Sequence, residues 1–80
     1  MHEFSLAQEV INIVLKNAGL KETEKVSKIK VKAGVLKMIT QDALQRAFDI
    51  LSNNTPLQGA EIILEEVPGN ILEVEYVETK

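Results

Sequence analysis

The residues best able to do chemistry in this sequence stand at its start, Met1-His2-Glu3. A free terminal amine, the backbone nitrogen of residue 2 and the imidazole of His2 can close around one metal ion as adjacent five- and six-membered chelate rings. Three nitrogens then lie in one plane, and a fourth donor can come from Glu3, from water or from a partner. A planar, nitrogen-rich set suits Ni(II) or Cu(II), whereas Zn(II) prefers a tetrahedron. The competing reading of His2 is an ordinary frayed terminal residue. For Glu3 it is a carboxylate that favours a nearby helix start through the helix dipole.

Nothing else resembles a reaction centre. The chain has a single histidine and no cysteine, so a thiolate nucleophile, a disulfide framework and a thiolate zinc site are excluded. Gly19, Gly34, Gly59 and Gly69 are isolated, with no phosphate-cradling loop among them. The glutamates near the carboxy terminus alternate with apolar residues and read as a solvated strand face. No catalytic residue is expected, and the protein is read as a non-enzyme.

The elements that would position the terminus follow from periodicity. Ser5 reads as a helix N-cap, with Gln8 completing a capping box. Phe4 is the natural residue to pin the terminus to the domain. Leu6, Ala7, Val10, Ile11, Val14, Leu15 and Ala18 form one apolar stripe, predicting a helix from Ser5 to Asn17 or Ala18 that stops at Gly19. After a charged connector at Glu22–Lys25, Lys28, Lys30 and Lys32 alternate with Ile29, Val31 and Ala33, a half-buried strand ending at Gly34. Val35–Ile39 reads as a packed loop leading to the N-cap Thr40. A second helix, about Gln41 to Leu51, buries Leu44, Ala47, Phe48 and Leu51 and leaves Gln45, Arg46 and Asp49 mostly outside.

Breakers at Ser52–Pro56 end that helix, and a strand follows Gly59 with Ile62 and Leu64 inward. Pro68-Gly69-Asn70 predicts a tight hairpin into a last strand, where Leu72, Val74 and Tyr76 alternate with Glu73, Glu75 and Val77. The expected fold class is α/β of the α+β type. Two helices pack on one face of a small three-stranded mixed sheet, in the order α-β-α-β-β. The strand lysines would face Glu61, Glu65, Glu73 and Glu75 on the other side.

Eighty residues form one domain, 1–80, with a thin core. Hydrophobic content of 45% with 26% charge argues against disorder, and an aromatic share of 4% leaves the core to aliphatic residues. A net charge of −3 without a basic patch gives no footprint for nucleic acid. No signal peptide and no membrane-length apolar run is evident, so a cytoplasmic location is expected.

With these stretches in view, the chain resembles the HypA (HybF) family of nickel metallochaperones for [NiFe]-hydrogenase and, in some bacteria, urease. The resemblance runs through Met1–Ala7, Lys32–Leu36, Asp42–Leu44, Ala47–Asp49, Gly59–Ile62, Leu64–Glu66 and Leu72–Glu78. It implies that His2 binds nickel through side chain and terminal backbone, supported by Glu3. It also implies partners, the nickel-handling GTPase HypB and the hydrogenase large subunit. The family carries a zinc module with paired CxxC motifs between its second and third strands. Here residues 68–70 stand in that place, so the resemblance implies a nickel-binding domain with its zinc module missing and no zinc. The alternative is a metal-independent interaction or regulatory module that keeps the scaffold and binds maturation partners or a second copy of itself.

Overall fold

The computed structural model describes residues 3–21 and 23–80, and Met1, His2 and Glu22 lie outside the described residues. The elements are α1 (Glu3–Asn17), β1 (Val26–Gly34), a short 3₁₀ turn (Val35–Lys37), α2 (Gln41–Leu51), β2 (Glu61–Val67) and β3 (Leu72–Thr79). This is the expected α+β order, two helices on one face of a three-stranded mixed sheet.

The core follows the periodicities of the sequence. Leu6, Ala7, Val10, Ile11 and Val14 of α1 are buried with Leu44, Ala47 and Phe48 of α2. They meet Val26, Ile29 and Val31 of β1, Ile62 of β2, and Leu57 and Ala60 in the connection before β2. Leu15 is 49% exposed, and Ala18 lies beyond the helix and is also exposed, so the stripe on α1 is narrower than its sequence suggests. Gly19 stops α1 as expected: its φ of +61° is a left-handed conformation that a side chain disfavours. Thr40 caps α2, and its hydroxyl accepts the Ala43 amide at 3.2 Å.

The strands are ordered β2-β1-β3. β1 pairs parallel with β2, Ile29 beside Ile62 and Val31 beside Leu64, and antiparallel with β3, Val31 beside Val74. The expected β2–β3 hairpin is therefore wrong. The chain leaves β2 at Val67, steps across the end of β1 and returns along β1's other side. Lysine-rich β1 explains the preference, because a central position lets it lie between two glutamate-bearing strands. The crossing is tied down by Gly34, which donates to the Ile71 carbonyl at 2.8 Å, and by Leu36, which donates to the Gly69 carbonyl at 3.0 Å.

A bulge at Glu75 corrects a second expectation. Register shifts between Lys30 and Val31, so Val74 lies opposite Val31 while Tyr76 lies opposite Lys30. One extra residue reverses the facing of the residues beyond it. Val77 packs against the core, and Tyr76 turns outward. The segment Val35–Ile39 is not a packed loop either: Leu36 is 68% and Met38 87% exposed.

Candidate metal centre and the surfaces around it

Glu3 is the first residue of α1, which moves the helix start two residues ahead of Ser5. Ser5 is thus inside the first turn rather than a cap, and the Gln8 amide donates to Asn12 Oδ1 at 2.9 Å instead of closing a capping box. Glu3 precedes Leu6 and Ala7 by three and four residues, the spacing of one helix face. It sits at the open end of the buried stripe and is itself half-buried. Its carboxylate lies where the helix dipole favours negative charge. Phe4 is 46% exposed and is no anchor, so the helix start is held by Leu6 and Ala7, which are fully buried.

Of the three expected ligand residues, then, Glu3 has a described position, while Met1 and His2 fall outside the described residues. The end of α1 at Asn17, with Ala18 after it, lines a shallow cleft with Tyr76 and Val77 in the second half of β3. Among the described residues, no group of three or more His, Cys, Asp or Glu side chains could hold a metal ion.

The open face of the sheet carries the expected charges. Lys30 Nζ lies 3.2 Å from Glu65 and 3.9 Å from Glu75, and Lys32 Nζ lies 3.1 Å from Glu75. The hydrogen bond to Glu75, then its charge and that of Glu65, holds the Lys32 ammonium above its ordinary pKa. These glutamates serve ion pairs across strands.

Two glutamines have a role that periodicity alone did not reveal. Gln41 and Gln45 are one turn apart on α2 and reach the outer edge of β2. The Leu64 amide donates to Gln41 Oε1 at 2.8 Å, and Gln41 Nε2 donates to the Ile62 carbonyl. The Ile62 amide donates to Gln45 Oε1 at 2.7 Å, and Gln45 Nε2 donates to the Ala60 carbonyl at 3.1 Å. Each side-chain amide offers a donor and an acceptor, as a neighbouring strand would. Their i, i+4 spacing was the available signal.

The described elements define a small α+β domain, and Glu3, the described member of the three candidate donors, stands at the start of α1. Residues 1–72 match the family described as hydrogenase/urease nickel incorporation, metallochaperone, HypA. The hydrogenase maturation factor HypA of Chloroflexus aggregans is 41% identical over 68 residues, which is 85% of this chain and 60% of that protein. That of Ignicoccus hospitalis is 40% identical over 75 residues, 90% of this chain and 53% of that protein. That of Methanobrevibacter smithii is 35% identical over 71 residues, 89% and 57% respectively. The chain belongs to the HypA family, which is one of metallochaperones and not of enzymes. It spans little more than half the length of these relatives. Among the described residues no helix is long and apolar enough to cross a membrane.

Proposed function

We propose that this chain is a nickel-binding domain of hydrogenase maturation, holding Ni(II) through the Met1 amine and the amide nitrogen and imidazole of His2, with Glu3 beside them. The observation that carries this reading is the span of the family match. It begins at residue 1 and so includes the proposed ligands Met1, His2 and Glu3 together with α1. Nickel is the cargo, and the domain passes it on by contact with the nickel-handling GTPase HypB and the hydrogenase large subunit. Glu3, half-buried at the start of α1, follows the Met1 and His2 donors directly in the sequence and offers a carboxylate. The sequence has no cysteine, so these residues supply no thiolate for zinc, and the proposed nickel donors are nitrogen and oxygen.

The test compares Ni(II) titration calorimetry of the native chain with that of a chain carrying one residue ahead of Met1. An extension displaces the terminal amine and leaves α1 intact, so binding should vanish while the melting temperature holds. His2→Ala should behave in the same way. Equal affinity in native and extended chains sinks the terminal site. It would leave the second reading, an interaction module acting without metal, which the open edge of β3 favours.

A further inference from the structure

The two edges of this sheet are treated differently. From Ala60 to Leu64 the outer edge of β2 is closed by Gln41 and Gln45. The other edge is β3, whose only strand partner among the described residues is β1. Because Gly34 donates to the Ile71 carbonyl, the alternation of an antiparallel ladder turns the amides of Leu72 and Val74 away from β1. An edge with free donors and acceptors accepts another strand.

Charge decides which strand. β3 carries Glu73, Glu75 and Glu78, all exposed, and no lysine or arginine between Leu72 and Thr79. A second copy pairing β3 against β3 would set glutamate beside glutamate, which is destabilising. On its inner side β3 already has the neighbour it suits. β1 sets Lys28, Lys30 and Lys32 on the open face and Ile29 and Val31 toward the core. Lys32 lies opposite Glu73, and its ammonium reaches Glu75 at 3.1 Å.

We propose that the outer edge of β3 is a docking site for an extended segment of a partner protein in which lysine or arginine alternates with apolar residues. The segment adds a fourth strand. Its basic side chains meet Glu73 and Glu78 on the open face, and its apolar side chains extend the face formed by Leu72, Val74 and Val77. The site is independent of nickel, since none of its residues belongs to the terminus.

The probe is a synthetic peptide with the sequence of residues 26–34, whose lysines have the required alternation. It is titrated into the ¹⁵N-labelled full chain and followed by NMR. Amide shifts should change along Leu72–Thr79, and hydrogen exchange should slow at Leu72 and Val74. Affinity should fall with added salt. A peptide with all three lysines replaced by glutamate should not bind. In the chain, Glu73→Lys with Glu78→Lys should weaken binding by about tenfold while leaving Ni(II) affinity and the far-ultraviolet spectrum unchanged. Equal binding of both peptides overturns the proposal. So do shifts confined to α2 and β2, or β3 signals that respond only to the concentration of the chain itself.

Discussion

A β-carbon placed on Gly34 would lie 2.2 Å from the carbonyl oxygen of Gly69. Backbone rests on backbone where the β2–β3 connection crosses the end of β1, and the Gly69 carbonyl is fixed there by the Leu36 amide. No flexible side chain is available to give way. Gly34→Ala should therefore cost about 2–3 kcal/mol, as overpacking at a rigid contact does. Urea denaturation measures it directly. A cost within error of zero would show that the crossing shifts freely.

The glutamine clasp on β2 predicts a different signature. Gln41→Ala and Gln45→Ala should each cost about 1 kcal/mol of stability. Hydrogen exchange should accelerate at the Leu64 amide in the first variant and the Ile62 amide in the second. The double variant exposes a second sheet edge, so light scattering should show concentration-dependent association absent from the native chain. Unchanged exchange at both amides would mean that the glutamines merely lie along the strand.

The bulge at Glu75 makes neighbours behave oppositely. Val77→Lys places a charge against the core and should cost roughly 3 kcal/mol or more. Tyr76→Lys, on the open face, should stay within about 1 kcal/mol of native. Thermal melts of the two variants decide between the observed register and strict alternation, which predicts the reverse order.

Lys32 ties a small part of the stability to alkaline pH. Its pKa is raised in the folded chain, chiefly by the hydrogen bond and charge of Glu75, from an ordinary 10.5. The folded state therefore holds this proton more tightly than the unfolded state. The contribution is complete below the ordinary value and fades as pH rises through the folded one. Lys32→Met should flatten that alkaline decline and leave neutral and acid stability almost unchanged. Glu75→Gln should lower the Lys32 titration midpoint, read by NMR of its side-chain nitrogen.

The proposed nickel site carries its own pH dependence. An ordinary terminal amine titrates at about 7.7–8.0 and an imidazole at about 6.5, and both must lose protons to chelate. Calorimetric affinity for Ni(II) should rise steadily from mildly acid to mildly alkaline solution, with protons released to the buffer. Flat affinity over that range is incompatible with an amine–imidazole site.

Both helices and the inward residues of β1 were legible in the sequence, because short-range periodicity sets them. Gln41–Leu51 was bounded correctly since Thr40 caps it and Ser52–Pro56 stops it. Sheet order was not legible. Pro68-Gly69-Asn70 has the composition of a hairpin, and the strand pairing together with the fit of Gly34 beneath Gly69 shows that it is a crossing. Tyr76 and Val77 were exchanged because a bulge changes the period without announcing itself, although apolar residues at both 74 and 77 break strict alternation. The roles of Gln41 and Gln45 depend on a strand that arrives many residues later. At the candidate site, the donor types of Met1, His2 and Glu3 can be read from the sequence, but the start of the helix was placed too late because Ser5 so strongly resembles a cap.

The order β2-β1-β3 also bears on the sequence of events in folding. β1, α2 and β2 are consecutive and can assemble as one unit, with the glutamines closing its far side. β3 must instead find β1 from half a chain away, at a larger cost in loop-closure entropy before any contact offsets it. The last strand to lock should thus be the one whose outer flank stays open, so the surface offered to a partner matures only when the whole domain has formed.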